Sequence, residues 1–207
     1  VPNGALTTKT ATTVVGPATL NTAGSYNVTV RHGASGTPSN TWSLTVGTGT
    51  PTTSSLSTSP SPPLDRVAFN FTLNGSGFDP ATVQVVFTGP GCTSGCTVPN
   101  GNLTTKTATQ VAGPAVLAAG SFTVAVRNGA GPLSNTQPLT VVAPVISNLT
   151  TSPSPPQVAQ TFTFTISGSN FDPGSIEVVF NGPGCSPCVV PNGALTTKTA
   201  TTVVGPA

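Results

Sequence analysis

Apolar and polar residues alternate with a period of two along most of the chain. In Phe69–Leu73 and Phe162–Ile166, Asn or Thr occupies every second position between apolar residues, and Val83–Phe87 and Ile176–Phe180 continue the pattern. Similar rows end each repeat, at Tyr26–Val30, Phe122–Val126, Leu44–Val46 and Leu139–Val141. This period predicts β-strands with one buried and one solvated face.

The segments between these rows are rich in turn-forming residues. Runs such as NGSGFDP, TGPGC, VPNG and RNGAGP separate the predicted strands, and Gly, Pro, Asn and Asp favour turns. No apolar stripe with a helical period persists for three turns. The sequence therefore predicts an all-β protein of antiparallel β-sheets packed as sandwiches.

The chain contains an internal repeat. Val1–Ala18 returns letter for letter as Val190–Ala207 and, with a few substitutions, as Val98–Ala115; TSPSPP at Thr58–Pro63 recurs at Thr151–Pro156. Self-similarity of this kind is typical of modular arrays. The repeat is about 95 residues long, a normal size for a small β-sandwich, and the chain is expected to be a window onto a longer array.

These landmarks divide the chain into three parts: residues 1–49 as the C-terminal half of one unit, residues 50–142 as a complete unit, and residues 143–207 as the N-terminal half of the next. Each end part holds about half the strands of a unit, so we expect neither to close a core alone. We expect residues 143–207 to supply early strands and Thr19–Val46 late strands to one completed unit. Residues 1–18 and 190–207 have the same sequence, so only one of these two segments can occupy the corresponding place in a completed unit.

The composition points to an exported protein. Charged residues make up 5% of the chain, against about 25% in typical domains, and the six basic residues are dispersed, which disfavours nucleic acid as a partner. The longest apolar run, Val141–Ile146, is interrupted by Pro144 and is far shorter than a membrane span. Neutral, hydroxyl-rich surfaces with local Cys pairs suit an extracellular or cell-surface location.

Two stretches resemble a known family. FTFTISGSNFDPGSIEVVFNG at Phe162–Gly182 and SFTVAVRNGAGPLSNTQPLTV at Ser121–Val141 look like the IPT/TIG group of immunoglobulin-like domains, with Gly168–Phe171 and Gly75–Phe78 as the most specific elements. The resemblance implies tandem immunoglobulin-like sandwiches, as in bacterial or archaeal surface and fibre proteins. Relatives also include receptor stalks, enzyme accessory domains and parts of DNA-binding proteins, so the resemblance transfers no catalytic residue.

The four cysteines form two local pairs. Cys92 and Cys96 lie in one Gly-Pro-Gly-Cys loop, and Cys185 and Cys188 lie in the corresponding loop of the next unit. In an exported chain this pattern favours one disulfide per unit. A redox CxxC site is the weaker alternative because no helix start is predicted there, and a four-Cys zinc site would need both loops to meet.

Other candidate residues have simple structural interpretations. His32 matches Asn128 of the next unit and is expected in a solvated turn, while Asp79 and Asp172 precede Pro and are expected to open turns. Trp42 could stack on a sugar, but its counterpart is Gln137, and a half-exposed strand-start aromatic is commoner. The Asn-x-Ser/Thr triplets, which could accept glycans, are at Asn27, Asn70, Asn74, Asn102 and Asn148.

These observations predict a structural role. We expect no enzymatic activity, no catalytic, cofactor-binding or metal-binding residues, and no cofactor. The expected protein is a structural repeat of an extracellular filament, fibre or stalk, from a prokaryote, whose main partner is itself, either through a continuous chain or through chains joined end to end. The alternative is an adhesin or carbohydrate-binding surface module.

Overall fold

The computed structural model of the chain describes residues 1–20, 24–46 and 49–207. They form two compact units, Val1–Gly49 and Thr50–Ala207. The regular structure of the described residues is almost entirely antiparallel β-sheet, as the period-two alternation predicts. The exceptions are short 3-10 turns at Asn3–Ala5, Asn100–Asn102 and Asn192–Ala194.

The first unit contains two small antiparallel sheets. Its strands are β1 (Thr8–Lys9), β2 (Val14–Val15), β3 (Gly24–Val28) and β4 (Trp42–Val46). β1 pairs with β2, and β3 pairs with β4 as a hairpin. Alternating apolar side chains are present, as predicted, but most of them face solvent, and neither buried apolar cluster of the described residues includes a residue of this unit.

Residues 50–142 form two four-stranded antiparallel sheets. The strands are β5 (Thr52–Ser59), β6 (Phe69–Ser76), β7 (Val83–Gly89), β8 (Cys92–Val98), β9 (Thr105–Lys106), β10 (Gln110–Ala115), β11 (Gly120–Asn128) and β12 (Gln137–Val141). The first sheet has the order β5-β6-β10-β9, and the second has the order β12-β11-β7-β8. Their apolar faces pack on each other in a sandwich-like arrangement.

The core lies between these two sheets. Phe71 and Leu73 of the first sheet and Val85, Phe87 and Val124 of the second are almost completely buried in one apolar cluster. The predicted inward positions of β6 and β7 are therefore confirmed. Burial of these side chains is the main favourable contribution to folding of the unit.

The Gly-x-x-Phe element has a steric explanation. A Cβ on Gly75 would collide with the backbone carbonyl of Thr52 and lie 2.6 Å from the ring of Phe78, which is itself buried in the core. Gly77 has φ +71°, and its counterpart Asn170 has φ +61°. Both residue types tolerate this left-handed conformation, which explains why Gly and Asn exchange at this position.

Residues 143–207 repeat the first six strands of this arrangement. They are β13 (Val145–Ser152), β14 (Thr163–Ser169), β15 (Val178–Gly182), β16 (Cys185–Val190), β17 (Thr197–Lys198) and β18 (Thr202–Pro206). The sheet β13-β14-β18-β17 is complete, but β15 pairs only with β16 in the described chain. A smaller apolar cluster, centred on Phe164, Phe171 and Val203, lies against them. The alternation predicts that Ile176 belongs to this strand, but β15 begins two residues later, at Val178.

Candidate functional site

Both cysteine pairs form disulfides in the structure. Cys92 bonds Cys96, with 5.1 Å between the Cα atoms, and Cys185 bonds Cys188, with a Cα separation of 5.2 Å. Each bond links the start of β8 or β16 to a residue further along the same strand, at the turn that follows β7 or β15. These bonds fix the ends of two equivalent hairpins, and no other cysteine is present in the chain.

The acidic residues of the Phe-Asp-Pro elements act locally. Asp79 accepts hydrogen bonds from the Ala81 backbone N–H at 3.0 Å and from the Thr82 hydroxyl at 2.7 Å. Asp172 accepts equivalent bonds from the Gly174 backbone N–H and the Ser175 hydroxyl. These are the expected Asp-initiated turns. Across the described residues, no group of three or more His, Cys, Asp and Glu side chains is placed to hold a metal ion.

Trp42 and the glycosylation triplets lie on the surface. Trp42 begins β4 and is 77% exposed, which is more than expected from the sequence. Among the triplets, Asn74 differs because its amide donates to Ser55 and accepts from Gln110. The remaining four triplet asparagines, Asn27, Asn70, Asn102 and Asn148, are exposed.

β11 is an inner strand of its sheet, and its two halves are held differently. Residues 120–124 pair with β12, while residues 123–128 pair with β7. Val83 and Gln84, the first two residues of β7, pair only with Asn128 and Arg127 of β11. At this end of the sheet, the first two residues of β7 therefore have strand partners only in β11.

In the described residues, the two end parts of the chain contain complementary halves of this pairing. The first unit contains the β11–β12 counterpart, β3–β4, and residues 143–207 contain the β7–β8 counterpart, β15–β16. Thr29–His32 and Ile176–Glu177 are not in strands, although their counterparts lie in β11 and β7, where residues 125–128 pair with residues 83–86. In residues 50–142, β7 pairs with β8 along one edge and with β11 along the other. The edge of β15 that corresponds to the β11-paired edge of β7 is called here the open edge of β15.

Apolar side chains in and next to β3 and β15 are exposed where their counterparts are buried. Val28 and Val30 are 44% and 56% exposed, whereas the equivalent Val124 and Val126 are completely buried. In β15, Phe180 is only half-buried, whereas its counterpart Phe87 is in the core. Exposed apolar surface of this kind is typical of an interaction site.

A polar contact on the outer face of the sheet changes in character between the repeats. The Arg127 guanidinium donates two hydrogen bonds to Oε1 of Gln84, at 3.2 and 3.1 Å, across the β11–β7 pair. The counterparts of these residues are Arg31 and Glu177, the only Glu in the chain. Both are exposed. A neutral acceptor in the complete unit is thus replaced by a carboxylate immediately before β15.

Asn128 is a structural residue that the sequence did not reveal. Its side chain is 4% exposed; its oxygen accepts from the Asp79 backbone N–H at 2.9 Å and its amide donates to the Gly77 carbonyl at 2.8 Å. The equivalent His32 is exposed in a bend, as expected. Aligning these positions suggested a solvated turn for both, because an Asn-Gly dipeptide does not show which of its residues is buried.

Asn135 is a second residue of this kind. Its side chain accepts from the Thr53 backbone N–H and donates to the Thr53 carbonyl, both at 2.8 Å. Ser134 precedes it and accepts a hydrogen bond from the Val126 backbone N–H. The β11–β12 connection is thereby attached to β5 of the opposite sheet, which fixes the hairpin over the core.

The first unit preserves part of this arrangement. The Val30 backbone N–H donates to the Ser39 hydroxyl at 3.0 Å, and the Ser39 backbone N–H donates to the Val30 carbonyl at 2.8 Å. These bonds are equivalent to those between Val126 and Ser134. The β3–β4 hairpin thus carries the same connection as β11–β12 without a neighbouring β7.

Asn100 and Asn192 attach the VPNG turns in both larger parts. The Asn100 amide donates to the carbonyls of Pro80 and Val83, and the Asn192 amide donates to those of Pro173 and Ile176. Their importance could have been suspected from the repeated VPNG motif. Their acceptors could be identified only from the tertiary structure.

Two clefts among residues 50–207 are shallow and small. One, of about 200 Å³, is lined by residues that include Asp65, Asn170 and Glu177. Another, of about 250 Å³, lies beside Leu56 and Pro138. Both volumes are below the roughly 300–1,000 Å³ of typical small-molecule sites. The open edge of β15 is therefore the more developed candidate site.

No protein-family model matches the chain, and no curated protein matches it significantly. Within the described ranges, no helix has the length and apolar character needed to cross a membrane.

Proposed function

We propose that this protein is a structural repeat protein, whose immunoglobulin-like units of the IPT/TIG type are joined end to end in an extracellular filament, fibre or cell-surface stalk of a prokaryote. Its principal partner is another unit of the same kind. It has no catalytic role, and the disulfides at the hairpin ends suit the oxidising conditions outside the cell.

The observation that carries this proposal is the repetition of one strand arrangement. The six strands of residues 143–207 repeat the pairing of β5–β10, including the irregularity within β13 that matches the one in β5. Repeated units that contact their sequence neighbours build length in one dimension. Their neutral surface, with a net charge of +2, allows like units to approach without strong repulsion.

Electron microscopy and mass measurement of the native material test this function. We expect thin filaments with beads at a regular spacing, and a particle mass far above the 20.4 kDa of the chain. A uniform population of small globular particles on intact cells, with no filament or stalk, would contradict the proposal.

The exposure of Trp42 favours a second candidate, a carbohydrate-binding surface module. An aromatic ring exposed to this extent can stack on a sugar face. A glycan array probed with the wild-type chain and with Trp42→Ala tests it. Specific glycan binding that the substitution removes would support the adhesin function, and absence of binding by the wild-type chain would contradict it.

A further inference from the structure

We propose that the open edge of β15 binds the β3–β4 hairpin of a second copy of this chain. β3 would pair with β15 and produce a sheet of order β4-β3-β15-β16, equivalent to β12-β11-β7-β8 of the complete unit. This inference rests on the proposed structural function and names the surfaces through which the units join. It is a form of strand addition to an exposed sheet edge.

The complete unit gives the register of this joint. There, Val124 pairs with Phe87, Val126 with Val85, and Arg127 with Gln84. The repeat transfers these pairs to the joint as follows: Val28 with Phe180, Val30 with Val178, Arg31 with Glu177, and His32 with Ile176. In this register, residues 29–32 lie opposite 176–179. Arg31 and His32, which are not in a strand, therefore meet residues 176–177, which are not in a strand either.

Burial of apolar surface favours this joint. The side chains of Val28, Val30 and Leu44 would enter the positions that Val124, Val126 and Leu139 occupy in the complete unit, where all three are buried. Phe180 would gain the cover that β11 gives to Phe87. The hairpin needs little reorganisation because the Val30–Ser39 bonds are already formed, which lowers the entropic cost of binding.

Asn40 adds a polar attachment to this joint. It is equivalent to Asn135, whose side chain bonds the backbone N–H and carbonyl of Thr53. The counterpart of Thr53 is Ile146, which is 63% exposed. The same pair of bonds from Asn40 requires only the Ile146 backbone, so the substitution of Thr by Ile does not remove them.

Charge complementarity favours a joint between Arg31 and Glu177. In the complete unit, the equivalent Arg127 already reaches Gln84 across the two strands. The carboxylate of Glu177 would turn this neutral contact into an ion pair, and a charge-assisted hydrogen bond is stronger than a neutral one. Since the joint connects two unlike surfaces, it is a head-to-tail contact, which can add one copy after another.

The duplicated segment Val1–Ala18 lies outside this joint. Its counterpart Val190–Ala207 already supplies β17 and β18 to the third part of the same copy, with Val203 buried. A deletion of residues 1–18 should therefore leave the assembly intact. Loss of assembly on this deletion would show that residues 1–18 of one copy take the place of residues 190–207 of the other. This result would contradict the proposed order of strands.

A charge-exchange experiment tests the proposal directly. Wild-type chain, Arg31→Glu and Glu177→Arg are compared by analytical ultracentrifugation over a range of concentrations at low salt. Each single variant places like charges in the joint and should raise the dissociation constant about tenfold or more. In a mixture of the two variants, the introduced carboxylate of one chain can face the introduced guanidinium of the other. The unchanged Arg31 and Glu177 can face each other at the alternate joint, so both kinds of joint regain opposite charges and assembly should recover.

Lys106→Glu is the matched control for Arg31→Glu, because it makes the same change in charge at an exposed residue of the complete unit, where the ammonium group donates to Asn100 of the same turn. It should assemble like the wild-type chain. Hydrogen exchange provides a second measurement, in which the backbone amides of Thr29 and Arg31 become protected when the chain assembles; the Val30 N–H between them already bonds Ser39. A wild-type chain that is monomeric at all concentrations, single variants that assemble normally, or a mixture that does not recover would overturn the proposal.

These results can be distinguished from failure of the proposed function. Filaments that form equally well from Arg31→Glu and Glu177→Arg chains would preserve the structural function and exclude this joint. Native material without filaments or stalks would instead contradict the function itself.

Discussion

The ring of Phe71 meets the ring of Phe87 edge to face, with 5.4 Å between their centroids and 73° between their planes. The two residues come from β6 and β7, which belong to opposite sheets, so this contact joins the two layers of the complete unit. Phe164 and Phe180 form the same contact in residues 143–207, at 5.6 Å and 70°. Aromatic pairs of this geometry contribute beyond their buried area.

Replacement of Phe71 with Ala should therefore unfold residues 50–142 or severely destabilise them. Truncation of a buried Phe costs about 3–5 kcal/mol, a large part of the roughly 5–15 kcal/mol that stabilises a typical domain. Thr72 is the matched control, since its side chain is on the other face of β6 and is only half-buried. Thermal unfolding followed by circular dichroism should show a much larger decrease in melting temperature for Phe71→Ala than for Thr72→Ala; equal decreases would mean that the faces of β6 are wrongly assigned.

Asn128→Ala should destabilise the complete unit by about 1–3 kcal/mol, because it leaves the Asp79 N–H and the Gly77 carbonyl without their partner. His32→Ala changes the equivalent, exposed position and should leave the urea midpoint of the unassembled chain unchanged. Urea unfolding at low protein concentration provides the measurement. A similar midpoint for Asn128→Ala and the wild type would exclude the anchoring role of this side chain.

Gly75→Ala should destabilise the unit by about 1–3 kcal/mol, the usual cost of overpacking. The added methyl group would meet the Thr52 carbonyl and the Phe78 ring. Gly101→Ala is a suitable control, because no atom lies within 4 Å of the Cβ built at that position. Chemical denaturation of the two variants should separate them clearly, whereas comparable stabilities would argue against steric selection at the Gly-x-x-Phe element.

Reduction of the two disulfides should loosen the hairpin ends and leave the sheets folded. The closed loops are very short, so each bond should contribute less than the roughly 3 kcal/mol expected for a 15-residue loop. Thiol titration of native, unreduced protein should find no reactive thiol, and elemental analysis should find no stoichiometric metal. Two reactive thiols per unit, or bound zinc, would instead support a redox or metal site.

Local sequence patterns predicted the strands of this protein well. Alternation in Phe69–Leu73 and Val83–Phe87 identified both the strands and their buried faces, because the two sides of a strand differ in solvent exposure. The sequence did not predict the shorter β15, since Ile176 and Glu177 have the same pattern as Val83 and Gln84. Whether such residues form a strand depends on a neighbouring strand that is distant in the chain.

The sequence by itself determined the all-β class, the repeat, the turns and the cysteine pairs, because these depend on composition and on the spacing of nearby residues. Only the tertiary structure decided that β11 lies between β12 and β7 in its sheet and that Arg127 reaches Gln84 across the β11–β7 pair. It also decided that Asn128 is buried while the equivalent His32 is exposed. The physical reason is that strand order and polar anchoring arise from contacts between residues far apart in the chain, and local periodicity carries no information about which strands become neighbours.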